Sequence, residues 1–574
     1  MAYEDLNPEQ LKAVEAGDGP ILIVAGPGTG KTKTLTARIA FLITSAKAAP
    51  QEILALTFTK KAAGEMQERV LQLLAKAGIK PSPQILTFHA LCHEILGGEL
   101  AFADEAVRLQ VIKKLAKPAD LKAFSTRELG LLISRCKNMA EDNPDLKKLT
   151  ESYNSALSER GLVDYDDLLV QARDLLVGDQ TKREALQQRY KYILVDEFQD
   201  TNLLQYEFLR LLLGHHNIFV IGDPNQSIYG FRGASGGIFE RFKQDYPGHV
   251  AVELTVNYRS ASAVVGLGNA IFTSGPQLTA FSQVPGAVRA VEVLNEYSEA
   301  NWVLNEIQRA VGGGDLLHTV SDGDSNTECT FRDFAVLYRS RAAAITFQKL
   351  LQESGLPYQV VGDGSPYDQP QVQTILALMR VCAGRQQTVP EGFSEAEEQA
   401  VLNSLQPEAA GDPRSLADKI ISILKFEQTP GLQQFIGSLV RFKDLPAALN
   451  YFDSIAKQDF YDAQADAITL LTIHASKGLE FPRVFLIGTE EGILPHKNAD
   501  PHEEKRLLYV AATRAKHNLD ITYAQKRGGN PAQPSRFIVG LPADKLSRSV
   551  DPALASDKLK AKKRAAKRRQ QSLF

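Results

Sequence analysis

Short apolar runs that end in polar turns recur along the chain and define its predicted strands. Two of them, residues 20–25 and 192–195, lead directly into turns rich in glycine or acid. The other runs are residues 53–56, 218–221, 334–338, 468–473 and 484–487. Such runs fit strands that are buried on both faces, and helix-like segments separate them. Strands alternating with helices predict an α/β fold with parallel sheets.

Two long stretches have few strand signals and interrupt this alternation. Residues 93–189 carry apolar positions at helical spacing, and residues 370–465 are rich in Gln, Glu, Ala and Leu. Both patterns predict mainly helical insertions. The strand–helix pattern resumes after Ala270, which indicates a second α/β core.

The resulting domain prediction has five parts. The first α/β domain comprises residues 1–92 and 190–272, and residues 93–189 form its insertion. The second α/β domain comprises residues 273–369 and 466–546, and residues 370–465 form its shorter insertion. Residues 547–574 form a basic tail.

The composition is that of a folded globular protein. The 574 residues carry a net charge of −3, with 44% hydrophobic and 23% charged residues, which excludes fold-wide disorder. The near-neutral charge still permits a nucleic-acid motor, because a motor needs only a basic groove. The start MAYEDLNPEQ is acidic and unlike a secretory signal, and no apolar run approaches the ~18 residues of a membrane span. We therefore expect a cytoplasmic protein with reduced cysteines and no membrane partner.

The first glycine-rich turn has the pattern of a phosphate-binding loop for ATP. It follows a predicted strand and opens a predicted helix, so that backbone N–H groups and the helix start face the phosphates. Lys31 supplies a point charge for the β- and γ-phosphates, and Thr32 supplies a hydroxyl for Mg²⁺. The candidate nucleotide-binding residues of this loop are Ala25, Gly26, Pro27, Gly28, Thr29, Gly30, Lys31, Thr32 and Lys33.

The acidic turn after residues 192–195 complements that loop. Asp196 is placed to hold Mg²⁺, and Glu197 to orient and deprotonate the attacking water. Hydrolysis also needs positive charge at the γ-phosphate, for which Arg259 and Arg514 are candidates. Spacing alone does not distinguish these two residues from ordinary surface arginines.

Further short motifs follow one another along nearly the whole chain. They include LNPEQ at 6–10, LTFTKKAA at 56–63, TFHA at 87–90, VDEFQDTN at 195–202, GDPNQSIYGFRGA at 222–234, residues 254–260, TIHASKGLEF at 472–481 and residues 503–515. In content and order they resemble the motifs of superfamily 1A DNA helicases of the UvrD/PcrA/Rep type. The resemblance implies two RecA-like P-loop domains, each with a helical insertion, with ATP between the domains and DNA across them.

The resemblance also implies roles around the nucleotide. Gln10 would read the adenine edge, Tyr258 would stack on adenine, and Glu480 would lie near the ribose. Gln226 would sense the γ-phosphate. Arg259 and Arg514 would reach the γ-phosphate, Arg514 as an arginine finger from the second domain.

For DNA, the resemblance implies a grip on single strands with 3′→5′ polarity. The candidate contacts are Phe58, Lys60, His89, Tyr229, Phe231 and Arg232. This chain departs from the family at Lys60, where Asn is usual, and at Phe231, where Trp is usual.

The expected activity is a DNA helicase on single-stranded and junction DNA, in repair or replication restart. Residues 370–465 form a short second insertion for the family, so two alternatives stay open. One is a translocase that strips proteins from DNA with little unwinding. The other is a nucleotide-binding scaffold without motor activity.

The sequence QQSLF at 570–574 follows a run of lysines and arginines. It resembles the peptide by which bacterial replication and repair proteins bind the sliding clamp. Gln570 would make a polar contact, and Leu573 and Phe574 would be apolar anchors in a groove. The alternative is a disordered basic tail that binds phosphates loosely.

Overall fold

The structure, a computed structural model, describes residues 5–555 with short gaps. The residues left out within that range are 80–81, 99, 118–123, 231–232, 235, 313–328, 362–369, 385–411, 428, 441, 455–460 and 553. The chain forms two compact units. The first consists of Met1–Ala287 and Asn498–His517, and the second of Val288–Lys497 and Asn518–Phe574.

The strands follow the apolar runs of the sequence and several shorter segments. They are β1 (Ile21–Ala25), β2 (Ile53–Thr57), β3 (Gln84–Thr87), β4 (Ala101–Phe102), β5 (Leu162–Val163), β6 (Tyr192–Val195), β7 (Ile218–Gly222), β8 (Val250–Leu254), β9 (Val256–Asn257), β10 (Thr279–Ala280), β11 (Ala287–Val293), β12 (Phe334–Tyr338), β13 (Tyr358–Val361), β14 (Ile468–Thr472), β15 (Phe481–Ile487), β16 (Ala515–Ala524), β17 (Lys526–Arg527), β18 (Asn530–Pro531) and β19 (Ser547–Val550).

The α-helices lie between these strands or in the two insertions. They are α1 (Pro8–Glu15), α2 (Lys31–Thr44), α3 (Lys60–Lys76), α4 (Phe88–Leu96), α5 (Glu105–Leu115), α6 (Thr126–Lys137), α7 (Pro144–Ser158), α8 (Tyr165–Gly178), α9 (Gln180–Arg189), α10 (Leu203–Leu212), α11 (Ile238–Asp245), α12 (Ser262–Ile271), α13 (Glu296–Val311), α14 (Arg341–Ser354), α15 (Pro370–Cys382), α16 (Pro413–Leu424), α17 (Pro430–Leu439), α18 (Leu445–Ser454), α19 (Pro501–Ala512) and α20 (Arg536–Val539).

The first unit is built on a six-stranded sheet in the order β3-β2-β6-β7-β1-β8, and every neighbouring pair is parallel. Alternate residues of a strand enter opposite cores, since side chains alternate between the faces of a sheet. In β2, Leu54 and Leu56 join the core on one face, while Ile53 and Ala55 join the core on the other. The order brings the carboxyl ends of β6, β7 and β1 side by side at one edge, where ligands bind in such sheets.

The stretch from α5 to α9, with five helices among its described residues, interrupts the first unit between β3 and β6. Its helices α5, α6 and α7 share a small core of their own, with Ile112, Ile133 and Tyr153 at its centre. Helix α8 instead packs into the main core through residues such as Leu168 and Leu169. It therefore joins the insertion to the sheet.

The second unit contains a seven-stranded sheet in the order β13-β14-β12-β15-β16-β11-β19. Strand β12 pairs in parallel with both β14 and β15. Helices α13 and α14 pack on this sheet through Val303, Ile307 and Phe347. Helices α15 to α18 form a separate core around Leu376, Ile420 and other apolar side chains.

The predicted α/β class with parallel sheets is confirmed, and each predicted apolar run contains a strand. The predicted domain bounds stay a prediction. They assign residues 498–517 to the second α/β domain, whereas the compact units group this segment with the first. Among the described residues, no helix is long and apolar enough to cross a membrane.

Candidate active site

The phosphate loop joins β1 to α2 through two glycines in the left-handed region. Gly28 has φ +70° and Gly30 has φ +84°, which side chains rarely adopt. A Cβ atom on Gly28 would lie 2.7 Å from Arg259 Cβ, and one on Gly30 would lie 2.7 Å from Gln10 Nε2. The glycines therefore let two neighbouring segments approach the loop, which leads directly into the start of α2, where phosphate binds favourably.

Lys31 is the first residue of α2, and its ammonium group turns back over the loop. Its Nζ atom donates to the carbonyl oxygens of Ala25 at 3.3 Å and Gly26 at 3.2 Å. The buried Thr29 hydroxyl donates to Gly26 at 2.8 Å and tightens the turn. Lys33 points elsewhere, because its Nζ atom donates to the Asp5 carbonyl at 2.7 Å.

Three acidic side chains lie beyond the carboxyl ends of β6 and β7. Asp196 is buried, and burial together with the adjacent Glu197 raises its pKa to about 7, although Lys31 acts in the opposite direction. Burial also raises the pKa of Asp223, again against the attraction of Lys31. Glu197 has φ +49°, and such strained backbone concentrates at functional sites.

These residues fit a Mg²⁺ ion. The hydroxyl of Thr32 and the carboxylate of Asp196 are hard oxygen ligands, and because burial and Glu197 raise the pKa of Asp196, a bound cation would favour its ionised form. Within the described ranges, no group of three or more His, Cys, Asp or Glu side chains could hold a metal. Hard oxygen ligands such as Thr32 and Asp196 suit Mg²⁺, which in phosphate-transfer sites takes its other ligands from substrate phosphates and water.

Gln226 and Arg514 meet beside this acidic edge. Gln226 ends the 3₁₀ turn Pro224–Gln226, is 4% exposed, and donates through Nε2 to Asp223 Oδ2 at 2.7 Å. Its Oε1 atom accepts from Arg514 Nη2 at 3.3 Å. Arg514 is 2% exposed and follows α19, in the segment that belongs to the first unit. The structure thus places this arginine next to the predicted γ-phosphate sensor within one unit.

Helix α19 contacts the loop after Gln226 at two more points. Arg506 Nε donates to the Ser227 carbonyl at 2.6 Å. The Gly230 N–H donates to Glu503 Oε1 at 3.2 Å. The loop that contains Tyr229 is therefore fixed along the same helix that leads to Arg514.

Arg259 is placed by its neighbours, which bind the phosphate loop. The buried Asn257 donates through Nδ2 to the Pro27 carbonyl at 2.8 Å, and its Oδ1 accepts from Arg259 N at 2.9 Å. Tyr258 N donates to the Gly28 carbonyl at 2.8 Å. Asn257, which was not singled out from the sequence, is therefore the residue that joins this segment to the loop.

Gln10 and Tyr258, the residues predicted to contact adenine, both lie beside the phosphate loop. Gln10 is buried and donates through Nε2 to the Thr29 carbonyl at 2.9 Å, while Asn7 Nδ2 donates to the Tyr258 hydroxyl at 2.9 Å. The Tyr258 ring is exposed and lies 4.9 Å from the ring of Phe281, which is 63% exposed. Two open aromatic rings beside a glutamine can stack on and read a base. Phe281 was missed because nothing in the sequence near it marks a motif.

Two groups of aromatic side chains lie elsewhere on the first unit. Phe58 and Tyr229 stack with centroids 5.3 Å apart and an interplanar angle of 14°. His89 meets the edge of Tyr165 at 6.2 Å, and Phe102 stacks on Tyr165 at 5.1 Å. Burial lowers the pKa of His89, against the attraction of Asp166. The exposed Lys60 lies at the start of α3.

Tyr165 and Phe102 were not predicted as site residues. Tyr165 is 64% exposed, whereas large aromatic side chains are usually mostly buried. The available signal was its position directly after the capping residue Asp164, at the start of α8.

Comparison with known proteins identifies the family. The profile of the UvrD/REP helicase N-terminal domain matches residues 6–247, and that of the UvrD-like helicase C-terminal domain matches residues 252–390 and 425–526. The ATP-dependent DNA helicase PcrA of Bacillus subtilis is 31% identical, over 94% of this chain and 86% of that protein. This chain belongs to the UvrD-like helicase family.

Two further relatives agree with this assignment. DNA helicase II of Escherichia coli is 29% identical to this UvrD-like helicase, and the match covers 94% of this chain and 88% of the Escherichia coli protein. A probable DNA helicase II homologue of Rickettsia conorii is 27% identical, and the match covers 94% of this chain and 96% of that protein. The resemblance stated from the motifs is therefore confirmed, and the chain is an enzyme of the helicase class.

The remaining predicted residues of this UvrD-like helicase lie in the second unit or outside the described residues. Glu480 lies in the second unit, in the turn before β15. Phe231 and Arg232 lie outside the described residues, as do Gln570, Leu573 and Phe574. The roles of all predicted site residues stay predictions.

Proposed function

We propose that this chain hydrolyses ATP to move 3′→5′ along single-stranded DNA and to separate duplexes, in DNA repair or replication restart. One observation supports the proposal above the others. The hydrogen-bonded series Arg514–Gln226–Asp223 lies beside the phosphate loop and continues into the loop of Tyr229, which stacks on Phe58. The proposed nucleotide sensor Gln226 and Tyr229, one ring of a stacked aromatic pair, are therefore parts of one short segment.

Hydrolysis would use the residues at the carboxyl edge of the first sheet. The loop N–H groups and Lys31 bind the phosphates, and Thr32 with Asp196 would hold Mg²⁺, which supplies charge neutralisation of the phosphates. Glu197 orients the attacking water and accepts its proton. Arg259 and Arg514 stabilise the charge that develops on the γ-phosphoryl group.

Coupling would run from Gln226 to Tyr229. When the γ-phosphate is present, Gln226 and Arg514 have a new partner, and their mutual contact at 3.3 Å changes. Ser227 and Gly230 are held by α19, so that a shift of Gln226 changes the stack of Tyr229 on Phe58. Each nucleotide state then favours a different grip on DNA, as a population shift requires.

The DNA grip would rest on stacking. Each stacked base contributes about 1–3 kcal/mol, and stacking tolerates any sequence because every base has a π-face. Phe58, Tyr229 and Phe231 are the proposed platforms, and the exposed Tyr165 is a further one. Lys60, His89 and Arg232 would contact phosphates. Single-stranded and junction DNA are the proposed partners, with little sequence preference.

Strand displacement on 3′-tailed, 5′-tailed and forked duplexes with ATP tests the activity, alongside translocation on single strands. We expect displacement of the 3′-tailed and forked substrates. ATP turnover that does not rise with oligonucleotide, together with no binding of oligonucleotide, would refute the motor. Translocation without displacement would instead favour the second candidate, a translocase that strips proteins, which the short insertion at 370–465 supports.

A proposed contact with a bacterial sliding clamp rests on Gln570, Leu573 and Phe574 alone. These residues lie outside the described structure. Two adjacent apolar anchors and a glutamine suit a groove on a partner. Calorimetry of clamp binding with the full chain and with residues 570–574 deleted decides the matter, since equal affinities rule the contact out.

A further inference from the structure

A hydrogen-bonded bridge joins the helical insertion to the segment that carries Asp196 and Glu197. At its centre is Asn138, the C-cap residue of α6. Asn202 Nδ2 donates to Asn138 Oδ1 at 2.8 Å, and Asn138 Nδ2 donates to Asp166 Oδ1 at 2.8 Å. Asn138 is 4% exposed and Asn202 is 7% exposed, so the bond between them is shielded from water, whereas the bond to the half-buried Asp166 is partly buried.

The core end of this bridge belongs to the catalytic segment. Asn202 follows the 3₁₀ turn Phe198–Asp200, which begins directly after Glu197. Its Oδ1 atom caps α10 by accepting from Gln205 N at 2.8 Å. The loop after Tyr229 also reaches this point, because a Cβ atom on Gly233 would lie 3.3 Å from Asn138 Cβ.

The other end of the bridge is the start of α8, where Tyr165 and Asp166 lie side by side. Buried ion pairs fix this helix end from within the insertion. Lys137 Nζ lies 2.9 Å from Asp164 Oδ2 and 2.6 Å from Asp167 Oδ1. Because Tyr165 and Asp166 are adjacent at the start of α8, a shift of Asp166 also moves the exposed Tyr165 ring. That shift changes the contacts of Tyr165 with His89 and Phe102.

A purely structural role explains these bonds less well. Helix α8 already packs into the main core, and α5 to α7 have a core of their own. Buried amides gain little net stability, because they exchange bonds with water for bonds with protein. Their bonds are directional, however, and so they define the position of the atoms that they join.

We propose that Asn138 is a positioning residue that couples the segment of Asp196 and Glu197 to base stacking on Tyr165. This inference rests on the proposed function and adds a second route from nucleotide to DNA, through the insertion. The first route, from Gln226 to Tyr229, does not involve α8.

Two isosteric variants break the bridge on opposite sides. Asn138→Asp keeps an oxygen for Asn202 but loses the amide donor and places a carboxylate against Asp166. Asn202→Asp keeps the oxygen that caps α10 but loses the donor to Asn138. Asn143→Asp is the matched control, since Asn143 is exposed in the same insertion and caps α7 through Asp145 N and Leu146 N.

The readout is the affinity for a fluorescent oligothymidine, measured with ADP and with a non-hydrolysable ATP analogue. We expect the ratio of the two affinities to fall at least about twofold towards unity in Asn138→Asp and Asn202→Asp, because only the route from Gln226 to Tyr229 then remains, and to stay at the unsubstituted protein's value in Asn143→Asp. Basal ATP turnover of Asn138→Asp should stay within about twofold, while the oligonucleotide concentration for half-stimulation should rise about five- to tenfold.

The pair Asn138→Asp and Tyr165→Ala separates coupling from general damage. If Asn138 acts through Tyr165, the double variant should bind oligonucleotide no more weakly than Tyr165→Ala alone, whereas independent effects would add. Additive losses, or an unchanged affinity ratio in both isosteric variants, would overturn the proposal. If Asn138→Asp fails to fold, Asn202→Asp decides. A lack of oligonucleotide stimulation in the unsubstituted protein would refute the proposed function itself.

Discussion

Each of the two units has a parallel sheet with buried acidic side chains near it, and the two groups of acids are compensated very differently. In the first unit, Asp196 and Asp223 lie at the carboxyl edge, and Lys31 is the cation that lowers the pKa of both. In the second unit, the buried Glu299 and Glu490 share a single arginine, Arg527.

The acids of the second unit form a closed network. Arg527 Nη2 lies 2.6 Å from Glu299 Oε2 and 2.9 Å from Glu490 Oε1. Glu299 Oε1 also accepts from Thr522 Oγ1 at 2.6 Å and from Gly488 N at 3.0 Å. Burial and the neighbouring Glu299 still raise the pKa of Glu490, against the attraction of Arg527, so these acids differ from those of the first unit in having a direct ion pair with an arginine.

The acids of the first unit differ in that a bound cation would lower their energy. The pKa of Asp196 is raised to about 7 because burial disfavours the ionised form of its carboxylate. A buried acid by itself therefore does not mark a functional site. What distinguishes the site is the shortage of direct cationic partners among the described residues.

The largest expected effect is in the second unit. Arg527→Met leaves Glu299 and Glu490 buried together without their cation, and breaking such a network costs about 3–5 kcal/mol of unfolding free energy. Denaturant unfolding measures the loss. The control is Arg536→Met, which removes an exposed pair with Glu491 and should cost little. Equal losses in the two variants would show that the network is not the main support.

The next effect is on catalysis in the first unit. Lys31→Ala removes the charge over the phosphate loop and should lower DNA-stimulated ATP turnover by about 10²–10³-fold without unfolding the protein. Lys47→Ala, which breaks a surface pair with Asp18 near the end of α2, is the control and should leave turnover unchanged. Normal turnover in Lys31→Ala would contradict the site.

The smallest effect concerns pH. Because the folded pKa of Asp196 lies above its unfolded value of 3.8, its contribution to stability is complete below pH 3.8 and is lost as the pH rises through about 7. Mg²⁺ competes with this proton, so its affinity should rise about tenfold from pH 6 to pH 8. The rise in melting temperature caused by Mg²⁺ measures this.

In Asp196→Asn the pH dependence of that Mg²⁺ effect should disappear. Asp18→Asn is the control, since a hydrogen bond from Tyr192 lowers the pKa of Asp18 and keeps it ionised over this range. A Mg²⁺ effect that is equally large at pH 6 and pH 8 in the unsubstituted protein would remove Asp196 from the metal site.

Sequence reasoning found what is encoded locally. The strand before Gly26 and the strand before Asp196 could be read from short apolar runs, because both are buried on both faces. Strand β8 was missed, since only two of its five residues are buried at the edge of the sheet. Asn138, Tyr165 and Phe281 were also missed, because their partners are distant in sequence and no local pattern records such contacts.

Strand order has a consequence for how this architecture can vary. Strand β13 pairs directly with β14, and the helices α15 to α18 lie between them in sequence. This insertion therefore begins and ends at adjacent strands of the sheet. Doubling the length of a flexible insertion raises the entropic free energy of loop closure by only about 0.6 kcal/mol. Chain length at this position can therefore grow or shrink almost freely during evolution, while the sheet that it interrupts stays intact.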